Sequence, residues 1–174
     1  LSLTLNPTYT IGREGSRSWS VSSSLGWRPL SNMLLSVGPS YSYDETPAQY
    51  VTAADDPTAT AFYGRRYVFA SVTQRTLSMD TRRNVTGTPI LLLPLFAQPF
   101  IASGDFGQYK EFAGPRTLQK VVYGRDAGTI TSANNGGTRQ FTGDPDGAAP
   151  AAPITFNDPS FTVRSRRGNA VLRG

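Results

Sequence analysis

Few residues in this chain stand close enough together to do chemistry. Asp144-Pro-Asp146-Gly147 begins as a calcium loop begins, with two carboxylates one residue apart before a glycine turn. A complete loop needs further oxygen ligands at fixed steps and a bidentate Glu, and these do not follow, so the segment reads as an ordinary turn. Asp55 and Asp56 are adjacent. Neighbours on a strand point to opposite faces, whereas two carboxylates that share an acid–base task must converge. Lys110-Glu111 and Gly124-Arg125-Asp126 read as surface ion pairs of little energy. Arg164, Arg166 and Arg167 are the best binding candidates, because Arg164 and Arg166 share a strand face and guanidinium groups grip carboxylates or phosphates. A solvated or lumen-lining face is the plain alternative for them.

Two absences narrow the chemistry further. The sequence has no Cys, which removes disulfides, thiolate catalysis and zinc–thiolate sites. It also has no His, so there is no imidazole for general base work near neutral pH, for a Ser-His-Asp relay, or as a metal ligand. Hydrolase and metalloenzyme readings lose their usual parts. The expectation is a protein that is not an enzyme and carries no cofactor.

The elements that must position these residues are strands. Odd positions read Leu1, Leu3, Leu5, Pro7, Tyr9, Ile11, then Trp19, Val21, Ser23, Leu25, Trp27, then Met33, Leu35, Val37, Pro39, Tyr41, Tyr43. The even positions between them are mostly Ser and Thr. Side chains alternate faces on a strand, so each run has one apolar and one hydroxyl-rich face. Each run is about ten or eleven residues, close to the ~9–11 that cross a bilayer at a tilt. The connections, 12–17 and 28–32, are short and rich in turn residues. An up-and-down meander gathers Tyr9, Trp19, Tyr41 and Tyr43 at one rim of the apolar face and places Trp27 at the other. Amphipathic aromatics at both ends of an apolar band suit a lipid-facing wall. A soluble sheet with aromatic corners under a second layer gives the same pattern.

Beyond Tyr43 the alternation loosens. Residues 44–47 read as a turn, 49–53 as a strand tip, 54–57 as a loop, 58–63 as a returning strand, 64–66 as a tight connection and 76–85 as a clearer strand. Gly87-Thr-Pro89 closes a hairpin onto 90–101, which is apolar on both faces and so expects cover on both. Pro94 and Pro99 cannot donate to a ladder, which makes one side of that strand an edge or a bulge. The expected organisation is one β domain over 1–174: hairpins over 1–101, a long loop region over 102–159 with loops at 132–137 and 143–153, and a C-terminal strand from 160 that kinks at Arg167-Gly168.

Seventeen Gly and thirteen Pro in 174 residues fit many turns, and no stretch reaches the ~20 apolar residues of a membrane helix. The longest apolar run, 90–95, is broken by Pro94. No signal peptide is visible, and the chain opens inside a strand pattern, as a mature or truncated product does. A net charge of +5 fits an anionic lipid or an acidic protein surface. The arginines are scattered over turns and no RNA-binding motif is present, so nucleic acid is not an expected partner.

Val37-Gly-Pro-Ser-Tyr41, Ala48-Gln-Tyr-Val51, Tyr63-Gly-Arg-Arg-Tyr-Val-Phe-Ala70, Thr76-Leu-Ser-Met-Asp-Thr81, Phe96-Ala-Gln-Pro-Phe100, Tyr109-Lys-Glu-Phe112, Pro115-Arg116, Tyr123-Gly124, Asp144-Pro-Asp-Gly147 and Arg167-Gly-Asn-Ala-Val-Leu172 together carry a resemblance. Over 37–104 and 109–172 the chain resembles the C-terminal outer-membrane β-barrel region of an uncharacterised bacterial family. Longer members of that family begin with a module similar to family-nine carbohydrate-binding modules. The resemblance implies a barrel-type sheet in a bacterial cell envelope, at the outer membrane or the periplasmic face of a membrane complex, and implies no activity. The sugar-module-like half is absent, so carbohydrate binding does not carry over. The chain also stops where the family pattern continues into further strands. Six to eight strands are too few for the family's barrel, and an unclosed sheet needs its edges covered.

The fold expected is therefore all-β, an antiparallel up-and-down meander forming a partial or small β-barrel with long loops. The expected function is a non-catalytic scaffold derived from an outer-membrane barrel. It would be an interaction subunit of a bacterial membrane-associated complex, with other polypeptides of the complex and the membrane surface or bilayer as partners. An extrinsic subunit of a photosynthetic reaction-centre and light-harvesting assembly is one instance. An outer-membrane pore, or a fragment of one, is the alternative, and a carbohydrate-active enzyme is a third.

Overall fold

In a computed structural model the chain is described over residues 1–88, 91–147 and 150–170. Ten strands follow in order: β1 (Ser2–Ile11), β2 (Arg17–Leu30), β3 (Met33–Asp55), β4 (Arg65–Thr88), β5 (Leu91–Phe112), β6 (Lys120–Val122), β7 (Thr129–Asn135), β8 (Thr138–Asp144), β9 (Ile154–Asn157) and β10 (Phe161–Ala170). Two single 3₁₀ turns, Arg13–Gly15 and Thr60–Phe62, complete the regular structure, and the described residues include no α-helix. The protein is an all-β antiparallel meander. One sheet has the order β1-β2-β3-β4-β5-β10 with β6 also on β5, and a second has the order β7-β8-β9. The main sheet is open: β1 and β10 end the path, and no closed barrel forms among the described residues.

Turn chemistry sets the short connections. Glu14 and Gly15 take positive φ between β1 and β2, as Tyr63 and Gly64 do before β4. Gly136 and Gly137 both have positive φ and close the two-residue β7–β8 hairpin between Asn135 and Thr138, the geometry that a type I′ turn requires.

The strands outrun their sequence expectation. β3 continues from Met33 to Asp55 through the expected turn at 44–47. Its last β2 partner is Glu45, opposite Arg17, so Pro47 sits where one side of the strand has no neighbour and a missing N–H costs no ladder bond. The returning strand expected at 58–63 is a 3₁₀ turn. β5 is not an edge: β4 and β10 flank it, and its pairing with β10 runs from Leu95 to Gly104 without a register shift through Pro99. β10 likewise keeps register through Gly168, opposite Ala97, so the expected kink is absent. The expected loop region at 102–159 holds the end of β5 and all of β6 to β9. Part of the expected hairpin at 87–90 and the end of the C-terminal motif, 171–172, lie outside the described residues.

The chain divides into two compact units. The first comprises 1–45, 73–104 and the segment from 161, and the second comprises 46–72 and 105–160. β3, β4 and β5 each contribute a stretch to both. The second unit owns the hydrophobic core: Val68, Ala70, Tyr109, Tyr123, Ile154 and Phe156 are buried together. Tyr109 packs on Phe141 and Phe156 with ring centroids 4.7 and 4.9 Å away. In the first unit, Ala102 and Gly104 are the buried residues among those described.

Candidate interaction surface

The register of the first unit sorts its side chains into two faces. Tyr9, Trp19 and Tyr43 stand opposite one another across β1, β2 and β3, and Leu3, Leu25 and Val37 form a second row. Trp27 faces Leu35. The alternate residues form rows of Thr8, Ser20 and Ser42 and of Asn6, Ser22 and Ser40. One face is thus apolar and the other hydroxyl-rich, because pairing preserves the period of two across strands.

The apolar face lies open. Leu3 is 71% exposed, Trp19 41% and Trp27 48%, and Leu5, Tyr9, Ile11 and Leu25 are exposed as well. Every described residue of β1 is exposed. Trp19 lies 5.2 Å from Tyr41 and 6.1 Å from Tyr43 by ring centroids, so the expected rim cluster of Tyr9, Trp19, Tyr41 and Tyr43 is brought together. Trp27 is eight residues further along β2, roughly 26 Å at ~3.3 Å per residue. At the ~35–45° tilt of membrane-barrel strands that separation rises roughly 20 Å, within the ~25 Å apolar band of such a barrel. Arg75 places its guanidinium over the Tyr43 ring, 5.7 Å from the centroid. Arg83 lines an open groove of about 500 Å³ with Leu35, Thr81, Leu95 and Ala97 at the Trp27 end. Each aromatic end of the band therefore carries a cation whose stem can lie along apolar surface while its charged head stays in a polar layer.

At β10 the face changes character. Arg164 is opposite Ile101 and Arg166 opposite Pro99, so both project on one face, while Arg167, opposite Gln98, projects on the other. Alternation along β5 from Ala97 puts Pro99 and Ile101, and with them the two arginines, on the apolar face. All three arginines are exposed. Beside Arg167, an open groove of about 420 Å³ is lined by Gln98, Phe100, Val163 and Ser165. These placements come from a continuous strand whose outer side has no neighbour in the sheet.

The second unit contains an ionic network that the sequence reading left among solvated turn arginines. Asp56 is 1% exposed and accepts hydrogen bonds from Arg66 Nε, from Thr58 N (2.8 Å) and from Thr58 Oγ1 (2.7 Å). The bond from Arg66, then those from Thr58, hold its pKa down at about 2. Arg66 Nη1 also donates to both oxygens of Glu111, at 2.8 and 3.0 Å, and Tyr123 donates to Glu111 at 3.2 Å. Burial opposes the charge on Arg66, but its hydrogen bonds to Asp56 and Glu111 leave its pKa raised. A sequence signal was present. The doublets Asp55-Asp56 and Arg65-Arg66 flank one turn, and both pairs join ten residues apart, Asp55 to Arg65 at the surface and Asp56 to Arg66 inside.

Lys110-Glu111 is likewise no surface pair. Lys110 is 7% exposed, and its Nζ donates to Pro47 O and Ser71 Oγ, both at 2.8 Å. Burial, then Lys120 and Arg125, lower its pKa. Arg125 and Asp126 do form an exposed ion pair at 2.8 Å. Asp144 Oδ1 accepts from Gly147 N at 2.9 Å, closing its own turn. Among the described residues no three Asp or Glu side chains cluster as metal ligands do. Each carboxylate considered for catalysis is engaged in a turn or an ion pair. Comparison of the chain with known protein families, with curated proteins and with solved structures finds no match.

Proposed function

We propose that the chain is a structural β-protein of a bacterial membrane-associated assembly, an interaction subunit without a catalytic role. Its apolar face meets lipid, and further strands from another polypeptide complete its sheet. One observation carries this reading: a band of exposed Leu, Ile, Trp and Tyr on one side of an open sheet, ending in aromatic and cationic rows roughly 26 Å apart. Eight of those side chains, Leu3, Leu5, Tyr9, Ile11, Trp19, Leu25, Trp27 and Leu77, are well exposed. Covering them is worth on the order of 10 kcal/mol at ~1–2 kcal/mol each. The two tryptophans make the test direct. In nanodiscs, Trp19 and Trp27 are quenched by lipids brominated near the carbonyls and shielded from aqueous iodide. If the chain stays monodisperse in buffer with both tryptophans open to iodide, the lipid contact is refuted.

The second reading, a wall segment of an outer-membrane pore, is favoured by the rows of Ser and Thr on the opposite face, which suit a water-filled lumen. Stepwise conductance of the isolated chain in planar bilayers supports that reading, and a silent bilayer carrying incorporated protein removes it.

A further inference from the structure

We propose that the outer edge of β10 is the site where the assembly's other polypeptide adds a strand, and that this strand alternates carboxylates with apolar side chains. The proposal rests on the structural reading above and names the chemistry of the partner. Three observations converge on it. Among the described residues β10 has a neighbour on one side only, so its ten residues leave roughly five N–H and five C=O groups aimed away from the sheet. Arg164 and Arg166 stand two residues apart on one face, exposed and with no ion pair among the described residues. The opposite face offers the groove of Phe100, Val163 and Ser165 with Arg167 at its margin.

Each observation fixes part of the partner. The open backbone demands an extended segment, because only a strand satisfies alternate donors and acceptors along an edge. Two arginines at a spacing of i and i+2 demand carboxylates at the same spacing directly across, where charged pairs on neighbouring strands meet. The groove on the other face demands apolar side chains at the intervening positions. Acyl chains do not serve as cover here, since a guanidinium facing mid-bilayer lipid is strongly unfavourable. The β1 edge lacks this specificity, as Ser2–Ile11 holds no charged residue. β10 is the selective edge.

The test uses the full chain in nanodiscs and a synthetic peptide, acetyl-Thr-Val-Glu-Val-Glu-Val-Glu-Thr-amide, read by fluorescence anisotropy. The expected result is saturable binding that weakens with salt, loss of binding when Lys replaces Glu, and loss when alternate amides are N-methylated. The variant Arg164→Glu/Arg166→Glu is expected to bind the Glu peptide at least about tenfold more weakly and to gain the Lys peptide. Equal binding of the N-methylated peptide, or of a scrambled one with its glutamates contiguous, overturns strand addition. Stronger retention by phosphatidylglycerol vesicles than by the peptide assigns the arginines to headgroups and overturns the proposal. A dimer that forms without peptide and is abolished by the double variant assigns the edge to a second copy and overturns it too. Tryptophan quenching on the same samples separates the two levels. Intact quenching without peptide binding sinks the edge alone, and absent quenching in the unaltered chain sinks the lipid reading.

Discussion

Replacing Arg66 with methionine removes a cation that serves two acids in the second unit. Asp56 is left buried with only Thr58 as donor, and Glu111 keeps only the Tyr123 hydroxyl. Removing one partner of a buried pair costs about 3–5 kcal/mol. Arg66 and Glu111 retain side-chain exposures of 16% and 17%, so water reaches the vacated site and offsets part of that cost. A loss of about 2–4 kcal/mol in the local stability of the second unit follows, on the order of 30- to 1,000-fold in the opening equilibrium. Amide exchange at Val68 and Ala70, two core residues of 0% exposure on the same strand as Arg66, reads that opening. Both tryptophans lie in the first unit, so their emission serves as an internal control and stays unchanged. The double variant Arg66→Met/Asp56→Asn recovers part of the loss, because the stranded charge goes with its partner. Exchange rates at Val68 and Ala70 that stay within threefold of the parent refute the claim that this network holds the core together.

Three smaller predictions follow from the same unit. The Tyr109 hydroxyl is buried and has no hydrogen-bond partner among the described residues, and burial raises its pKa, so Tyr109→Phe is neutral or stabilising by up to about 1 kcal/mol in urea unfolding. A Cβ on Gly128 would meet the carbonyl oxygen of Asp144 at 1.9 Å, and its φ is +61°, so Gly128→Ala lowers the melting temperature, whereas Gly136→Ala, with open space around it, does so far less. Asp56 has a folded pKa of about 2 against 3.8 unfolded, so its ionised form contributes stability above pH 3.8 that is lost as the pH falls towards 2. At ~1.4 kcal/mol per pKa unit, and with water reaching the partner Arg66, that contribution is on the order of 1–2 kcal/mol. Asp56→Asn flattens the acid limb of the stability profile, and an unchanged limb refutes the assignment.

How legible each part was depends on how far its cause extends along the chain. β1 to β3 were readable because alternation is local: Leu3, Leu25 and Val37 declare their face one residue at a time, and register then aligns them. The reach of β3 through Pro47 was not readable, because whether a proline costs a ladder bond depends on where β2 ends. Asp44 to Pro47 have turn-like composition and no turn. The second unit hid for the same reason at longer range. Its strands at 120–122, 129–135 and 154–157 are three to seven residues long, and what binds them is the packing of Tyr109 on Phe141 and Phe156, residues 32 and 47 positions away. Arg66 and Glu111, 45 residues apart, meet only after β4 and β5 have paired. The arginines of β10 were legible as a pair on one face, but not as an edge, since an edge is a property of the sheet order.

β4 also obeys two different rules along its length. Between 65 and 72 on β4, Val68, Ala70 and Val72 point into a core and are buried to 9% exposure or less. Beyond Thr73 the apolar positions shift from even to odd, and Leu77 on that other face is 48% exposed with nothing covering it among the described residues. Propensity and pattern are satisfied in both stretches, so the difference is not one of strand formation. A domain's net stability is only about 5–15 kcal/mol, and the uncovered face forgoes a sum of that order. A sheet of this size with such a face in water would pair with, or precipitate onto, whatever apolar surface it met. The band, its aromatic ends and the arginines at β10 all lie in the first unit, and the proposed lipid contact concerns that unit alone.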